Sequence, residues 1–79
     1  MKAKLTGYRA LDFKADGETV KGLQLFFTYV TPEVEGQCAD KVFIRSDQKE
    51  LLMIDPSQFL DNVIEMDFDR KGHLLSISG

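Results

Sequence analysis

Lys41, Phe43 and Arg45 form the tightest group of residues suited to binding chemistry in this sequence. Alternate residues of a β-strand point to the same side, so a strand here would display a cation, a ring and a cation in one row. Aromatic rings stack on unpaired bases, while lysine and arginine contact the phosphates. The pattern therefore predicts a surface for single-stranded nucleic acid. The open alternative is that Phe43 fills the core or a dimer interface.

Further rings and cations extend this candidate site. Tyr8 and Arg9 are neighbours at a predicted bend, and Phe26 stands among polar residues on the side of its strand opposite the apolar row. Each ring could instead serve only packing, with the tyrosine hydroxyl in water. The complete predicted nucleic-acid-binding set is Tyr8, Arg9, Lys21, Phe26, Lys41, Phe43 and Arg45.

Other chemistries find little support in the residue spacing. Glu65, Asp67 and Asp69 alternate along one strand, about 7 Å apart, and cannot converge on one ion without loop ligands. His73 follows a turn glycine and has no serine or cysteine partner, and Cys38 lies in a polar loop where its thiolate is not favoured. No glycine-rich phosphate loop or hydrolase signature is present. We expect no catalytic residue, metal or cofactor, and hence a protein that is not an enzyme.

The composition fits one small domain spanning residues 1–79. The chain has a mass of 9.0 kDa and is 43% hydrophobic and 29% charged. No apolar run approaches the roughly 20 residues that a membrane helix needs, and the N-terminus has no signal-peptide pattern. One cysteine cannot form an internal disulfide, which favours a reducing compartment and a cytoplasmic location.

The charge balance argues both for and against a nucleic-acid partner. A net charge of −3 opposes nonspecific attraction to phosphates. Residues 1–31, however, carry five cations and three anions, whereas residues 32–79 carry five cations and ten anions. This distribution allows a locally basic face, although a mixed solvated surface explains it equally well.

Period-two hydrophobicity predicts a long first hairpin. In the first strand Ala3, Leu5, Leu11 and Phe13 occupy the inward positions, and Gly7 marks a bulge or bend. Asp16-Gly17 predicts the hairpin turn, because both residues tolerate positive φ. A second strand, residues 18–31, follows, with Leu23, Leu25, Phe27 and Tyr29 on its core side.

The second half of the chain predicts three shorter strands and one helix. After a loop at residues 31–39, residues 40–46 form a third strand, and 62–70 and 73–78 form a closing hairpin. Asp55-Pro56 is typical of a helix start, for a helix of at most about two turns. Residues 51–54 are either extended or fill the core. The sum is an all-β chain with one short helix, arranged as a five-stranded antiparallel barrel.

This strand order resembles the oligonucleotide-binding (OB) fold. Within that class, the chain resembles the gene V class of single-stranded-DNA-binding proteins from filamentous phages, and similar mobile-element proteins. The shared features are the chain length, the Lys21-Gly22 step into an aromatic second strand and the closing hairpin of residues 63–77. The resemblance implies an OB-like homodimer that binds single-stranded DNA cooperatively by base stacking and serves phage or mobile-element DNA replication. Members of that class usually present a more basic face.

The oligomeric state, the function and the type of nucleic acid stay open at the level of sequence. A core this small rarely supplies more than about 3–5 kcal/mol, which together with the candidate exposed rings predicts a homodimer. Small barrels also serve as protein–protein interaction modules, so a module of that kind without nucleic-acid binding is the alternative function. Whether the nucleic acid is DNA or RNA is not determined.

Overall fold

Five antiparallel strands form one sheet, as the sequence predicts. The structure is a computed structural model that describes the backbone of residues 1–79 and the side chains of residues 1–14 and 16–79. In spatial order the strands are β3-β2-β1-β4-β5. Their bounds are β1 Lys2–Ala15, β2 Glu18–Tyr29, β3 Cys38–Arg45, β4 Val63–Phe68 and β5 Leu74–Ser78.

The β1–β2 hairpin is the longest feature of the molecule. Asp16 and Gly17, with φ of 53° and 80°, form the two-residue turn that the sequence predicts. Neighbouring strands cover only part of the hairpin, because β3 pairs with β2 no further out than Gly22 and β4 pairs only with residues 2–4 of β1. The half of the hairpin nearer its turn is therefore a two-stranded ribbon, in keeping with overall extents of 43 × 25 × 22 Å.

A β-bulge at Thr6 reverses the faces of β1. Leu5 pairs with Phe27 and Gly7 with Phe26, so Thr6 is an extra residue with no partner of its own. The bend predicted at Gly7 is thus confirmed. The face predicted for Leu11 and Phe13 is wrong, however, because one extra residue moves every later side chain of β1 to the other side of the sheet.

The core lies on one side of the sheet, which we call the inner face. All five strands contribute to it, and a short helix α1, Lys49–Leu52, adds Leu51. The predicted extended or core-filling segment is therefore partly helical, while the helix predicted at Asp55 is a single 3-10 turn, Pro56–Gln58. Asp55 caps this turn by accepting a hydrogen bond from the Ser57 backbone. The buried core residues are Ala3, Leu5, Leu25, Phe27, Val42, Ile44, Leu51, Ile64, Met66 and Leu74.

The sheet is not closed into a barrel. Over the described backbone no ladder of hydrogen bonds joins the edge strands β3 and β5, because the chain turns into α1 directly after β3 and β5 is short. The side chain of Gln48 spans the gap instead. It accepts a hydrogen bond from the Arg45 backbone at 3.1 Å and donates one to the Leu74 carbonyl at 3.3 Å. No helix in the structure is long and apolar enough to cross a membrane.

Candidate nucleic-acid interface

Five of the seven predicted binding residues lie on the outer face of the sheet, opposite the core. Directly paired residues of neighbouring strands point to the same side, so the register settles the face of each residue. Three rows run across β1, β2 and β3 on this face. They are Gly7–Phe26–Lys41, Arg9–Gln24–Phe43 and Leu11–Gly22–Arg45.

Tyr8 and Lys21 do not join them. Tyr8 pairs with Leu25 and Lys21 with Asp12, which places both on the inner face. Tyr8 is 40% exposed beside the apolar segment that follows α1. For Tyr8 the cause is the bulge at Thr6, which exchanges the faces of the later residues of β1. Lys21 lies on the inner face by simple alternation with Leu23 and Leu25 of β2. These two residues are therefore separated from the predicted site by the thickness of the sheet.

Arg9 is held on the outer face by contacts with two neighbouring side chains. Its Nε donates a 2.7 Å hydrogen bond to Oε1 of Gln24, a residue that is only 8% exposed. Its guanidinium carbon lies 5.7 Å from the centroid of the Phe26 ring, within the range of a cation–π contact. Because Gln24 binds only Nε, the two terminal nitrogens of the guanidinium can still form the paired contacts that suit a phosphate.

Glycines lie beneath two rings of the outer face, Phe26 and Phe43. A Cβ built on Gly7 would lie 3.8 Å from Cδ2 of Phe26, and one built on Gly22 would come within 2.5 Å of Cζ of Phe43. Each ring therefore lies over bare backbone and is half-buried. Covering a strand glycine is a structural role in itself. It also holds each ring at the outer surface of the sheet.

The charges on this side of the sheet are strongly segregated. The outer face of β1–β3 has a single acid, Glu18, at the far end of the hairpin. The outer-face acids Glu65 and Asp67 lie on β4, where they contact the N-terminal ammonium group and Ser76. A net charge of −3 is thus compatible with a basic surface. Its cations are Lys2, Lys4, Arg9, Lys41 and Arg45.

Comparisons with family models, curated proteins and solved structures find no match for this chain. The chemistry of the outer face is therefore the basis for assigning a function.

Four outer-face residues of β1 with a cationic or large apolar side chain lie outside the predicted set. Lys2 and Lys4 alternate with the buried Ala3 and Leu5, a pattern that the sequence displays directly. Phe13, 48% exposed, and the half-buried Leu11 reach this face only because of the bulge. Glycine inside the first strand was the only sequence signal for that change.

Two polar clusters lie away from the outer-face rings. Cys38 starts β3 rather than lying in the preceding loop, and it is half-buried opposite Tyr29. The neighbouring Cys38, partial burial and the Asp40 carboxylate together raise the pKa of the Tyr29 hydroxyl. Asp69 organises the β4–β5 turn by accepting hydrogen bonds from the backbone of Lys71 and His73, at 2.9 and 2.8 Å. These contacts account for both groups without a ligand.

Proposed function

We propose that this protein binds single-stranded DNA, or RNA by the same chemistry, on the outer face of β1–β3 with little dependence on sequence. The observation that carries the proposal is the row Arg9–Gln24–Phe43, in which Gln24 anchors Arg9 beside the half-buried ring of Phe43. The guanidinium of Arg9 also contacts the ring of Phe26 in the adjacent row. Rings stack on any base, and each stacked base contributes about 1–3 kcal/mol. Lys41 and Arg45 flank Phe43 on the same strand side and supply phosphate contacts.

The positive charge of the outer face supports nucleic-acid binding, and this local charge matters more than the net negative charge of the chain. At an ionic strength near 0.15 M the Debye length is about 8 Å, so a phosphate on the outer face senses mainly the cations around it. The acids Glu65 and Asp67 lie on the same face of the neighbouring strand β4, where Glu65 pairs with Lys2, and they bound the basic surface on that side. A single strand confined to β1–β3 avoids them.

The fold proposed for this function is an OB-like barrel left open between β3 and β5. The two edge strands of the sheet approach each other, and Gln48 links them. All five strands bury residues in one common core, as a curled sheet requires. Through its resemblance to the gene V class, we extend the proposal to the replication of phage or mobile-element DNA in the cytoplasm.

Fluorescence anisotropy with a labelled single strand of about 20 nucleotides tests the proposal, at salt concentrations of about 20 and 200 mM and with duplex DNA as the competitor. We expect micromolar or tighter binding that prefers the single strand and weakens with salt. Arg45→Ala should reduce the slope of log K against log salt by about 0.7, the value for one phosphate contact on a single strand. Lys71→Ala, in the β4–β5 turn, is its matched control.

Phe43→Ala should act differently, lowering affinity about 5- to 150-fold with the salt slope retained. Its control is Leu75→Ala, an apolar residue that is 59% exposed on β5. Unmeasurable binding by the wild-type protein at low salt would reject the proposal. The alternative function, a protein–protein interaction module, would then be favoured.

An apolar groove on the inner face favours association between two copies of the chain. It has a volume of about 470 Å³ and lies between the β1–β2 ribbon and the segment after α1, lined by Tyr8, Leu23, Leu52 and Ile54. Asp12 and Lys21, a cross-strand pair, stand at its rim. A two-fold axis that passes between these residues would place Asp12 of one copy opposite Lys21 of the other, and the rim would then be self-complementary in charge. We propose a homodimer through this groove, which leaves both outer faces free.

Sedimentation equilibrium tests the homodimer. The expected mass is twice the 9.0 kDa of one chain. Asp12→Lys or Lys21→Asp alone should lower the mass toward that of one chain, and the two changes together should restore it. Glu33→Lys, in the loop before β3, controls for a change of net charge. A wild-type mass near 9.0 kDa at high micromolar concentration would contradict the dimer.

A further inference from the structure

Phe13 is an aromatic residue that the rest of the protein covers only in part. Its ring is 48% exposed, although the inward pattern of β1 would have buried it. It lies on the two-stranded ribbon, beyond the last residue of β3, and pairs across the hairpin with Val20. An aromatic ring beside a β-branched residue stabilises a hairpin only modestly. That contact leaves half of the ring surface in water.

Phe13 continues the ring-bearing surface of the sheet. Along β2, the outer-face positions run from Phe26 through Gln24 and Gly22 to Val20, at intervals of about 7 Å. The Phe43 ring covers Gly22, so Phe13, opposite Val20, is one interval further out. Phe26, Phe43 and Phe13 therefore lie in order along the long axis of the hairpin, on the same side of the sheet.

The charges along this line fit an extended polyanion. Arg9 and Arg45 lie on the outer face between the first ring and the last, and the outer-face acid of this hairpin, Glu18, comes only after Phe13. A nucleic-acid strand that runs along β2 thus meets cations between the rings and an acid only at the far end of the hairpin. Lys14 adds a positive charge beside Phe13, on the opposite face of the ribbon.

We propose that Phe13 is a third stacking residue, and that the nucleic-acid path continues from the sheet along the outer face of the β1–β2 ribbon. This inference rests on the proposed function, which it extends in length and direction. The ribbon lengthens the site without enlarging the core. The occupant is the same single strand that binds Phe26 and Phe43.

The absence of tryptophan from the sequence permits a direct test. Phe13→Trp makes position 13 the one indole fluorophore of the chain, and a strand of about 16 nucleotides, the upper site size of OB folds, should quench its emission on stacking. Met53→Trp, at a position 85% exposed in the segment after α1, is the matched control and should change little. Phe13→Ala and Phe13→Leu should both weaken binding about 5- to 150-fold, since leucine keeps apolar area but has no ring.

The outcomes separate this inference from the function on which it rests. If the wild-type protein fails to bind the strand in the anisotropy titration, the proposed function itself is rejected. If the wild-type protein binds but position 13 is not quenched, or Phe13→Leu retains wild-type affinity, only the third stacking position is rejected. Emission that is already blue-shifted in the free protein and insensitive to the strand would place the ring in a contact between copies of the chain, and would also overturn the inference. Circular dichroism confirms that each variant is folded.

Discussion

The ring of Phe43 lies directly over Gly22 of the neighbouring strand. A Cβ at position 22 would come within 2.5 Å of Cζ of Phe43 and would also meet the backbone oxygen of Ile44. Glycine here is required by a close approach of β3 to β2, not by an unusual φ, since Gly22 is not among the positive-φ residues of the chain. The position of a candidate stacking ring is thus fixed by the absence of a side chain beneath it.

Gly22→Ala should destabilise the protein by about 1–3 kcal/mol, because the backbone of β3 has to move away from β2 to admit the methyl group. Gly7→Ala is the matched control. Its Cβ would meet the Phe26 ring at 3.8 Å, an ordinary contact, so its stability should change by less than about 1 kcal/mol. Urea unfolding measures both, and equal stabilities for the two variants would contradict the close approach.

Gln24→Met should weaken binding without changing its salt dependence. Methionine fills a volume close to that of the nearly buried glutamine but removes the hydrogen bond to Nε of Arg9. The arginine keeps its charge and loses its fixed position, at an expected cost of about 2- to 13-fold in Kd.

Arg9→Ala is the comparison for that variant. It removes the charge itself and should reduce the salt slope by about 0.7. The measurement is anisotropy over a range of salt concentrations. An unchanged Kd for Gln24→Met would show that the 2.7 Å hydrogen bond does not prepare Arg9 for phosphate.

Local signals predict most of the fold. Asp16-Gly17 sets the hairpin turn and alternation sets the strands, since both depend on neighbouring residues. Closure of the sheet is not predictable in this way. It depends on how the chain leaves β3, where Gln48 binds both the Arg45 and Leu74 backbones across the gap.

The candidate site is predictable only as far as the first bulge. Lys41, Phe43 and Arg45 follow simple alternation on a regular strand, and the structure places them on one face as expected. On β1, Gly7 indicates a bulge but not which residue is extra. A shift of one residue exchanges the faces of Tyr8 and Phe13, so Tyr8 lies on the inner face and Phe13 on the outer face, opposite to the alternation read from the sequence.

The β4–β5 turn should make stability depend on pH in the acid range. The backbone N–H of His73, followed by that of Lys71, donates to the Asp69 carboxylate and lowers the pKa of this group below its ordinary value. The unfolded chain then takes up the proton at a higher pH than the folded chain does. The stabilisation is therefore present above the ordinary aspartate pKa of 3.8 and is lost as the pH falls through the folded value.

Asp69→Asn tests this dependence, because asparagine can still accept the backbone hydrogen bonds but carries no charge. The variant should unfold at lower urea concentration than the wild-type protein at pH 7, and the difference should shrink as the pH is lowered from 3.8 through the depressed pKa of the folded-state carboxyl group. Asp47→Asn, after β3, controls for the loss of one exposed carboxylate. A difference that stays constant over that pH range would show that the charge of Asp69 does not stabilise the turn.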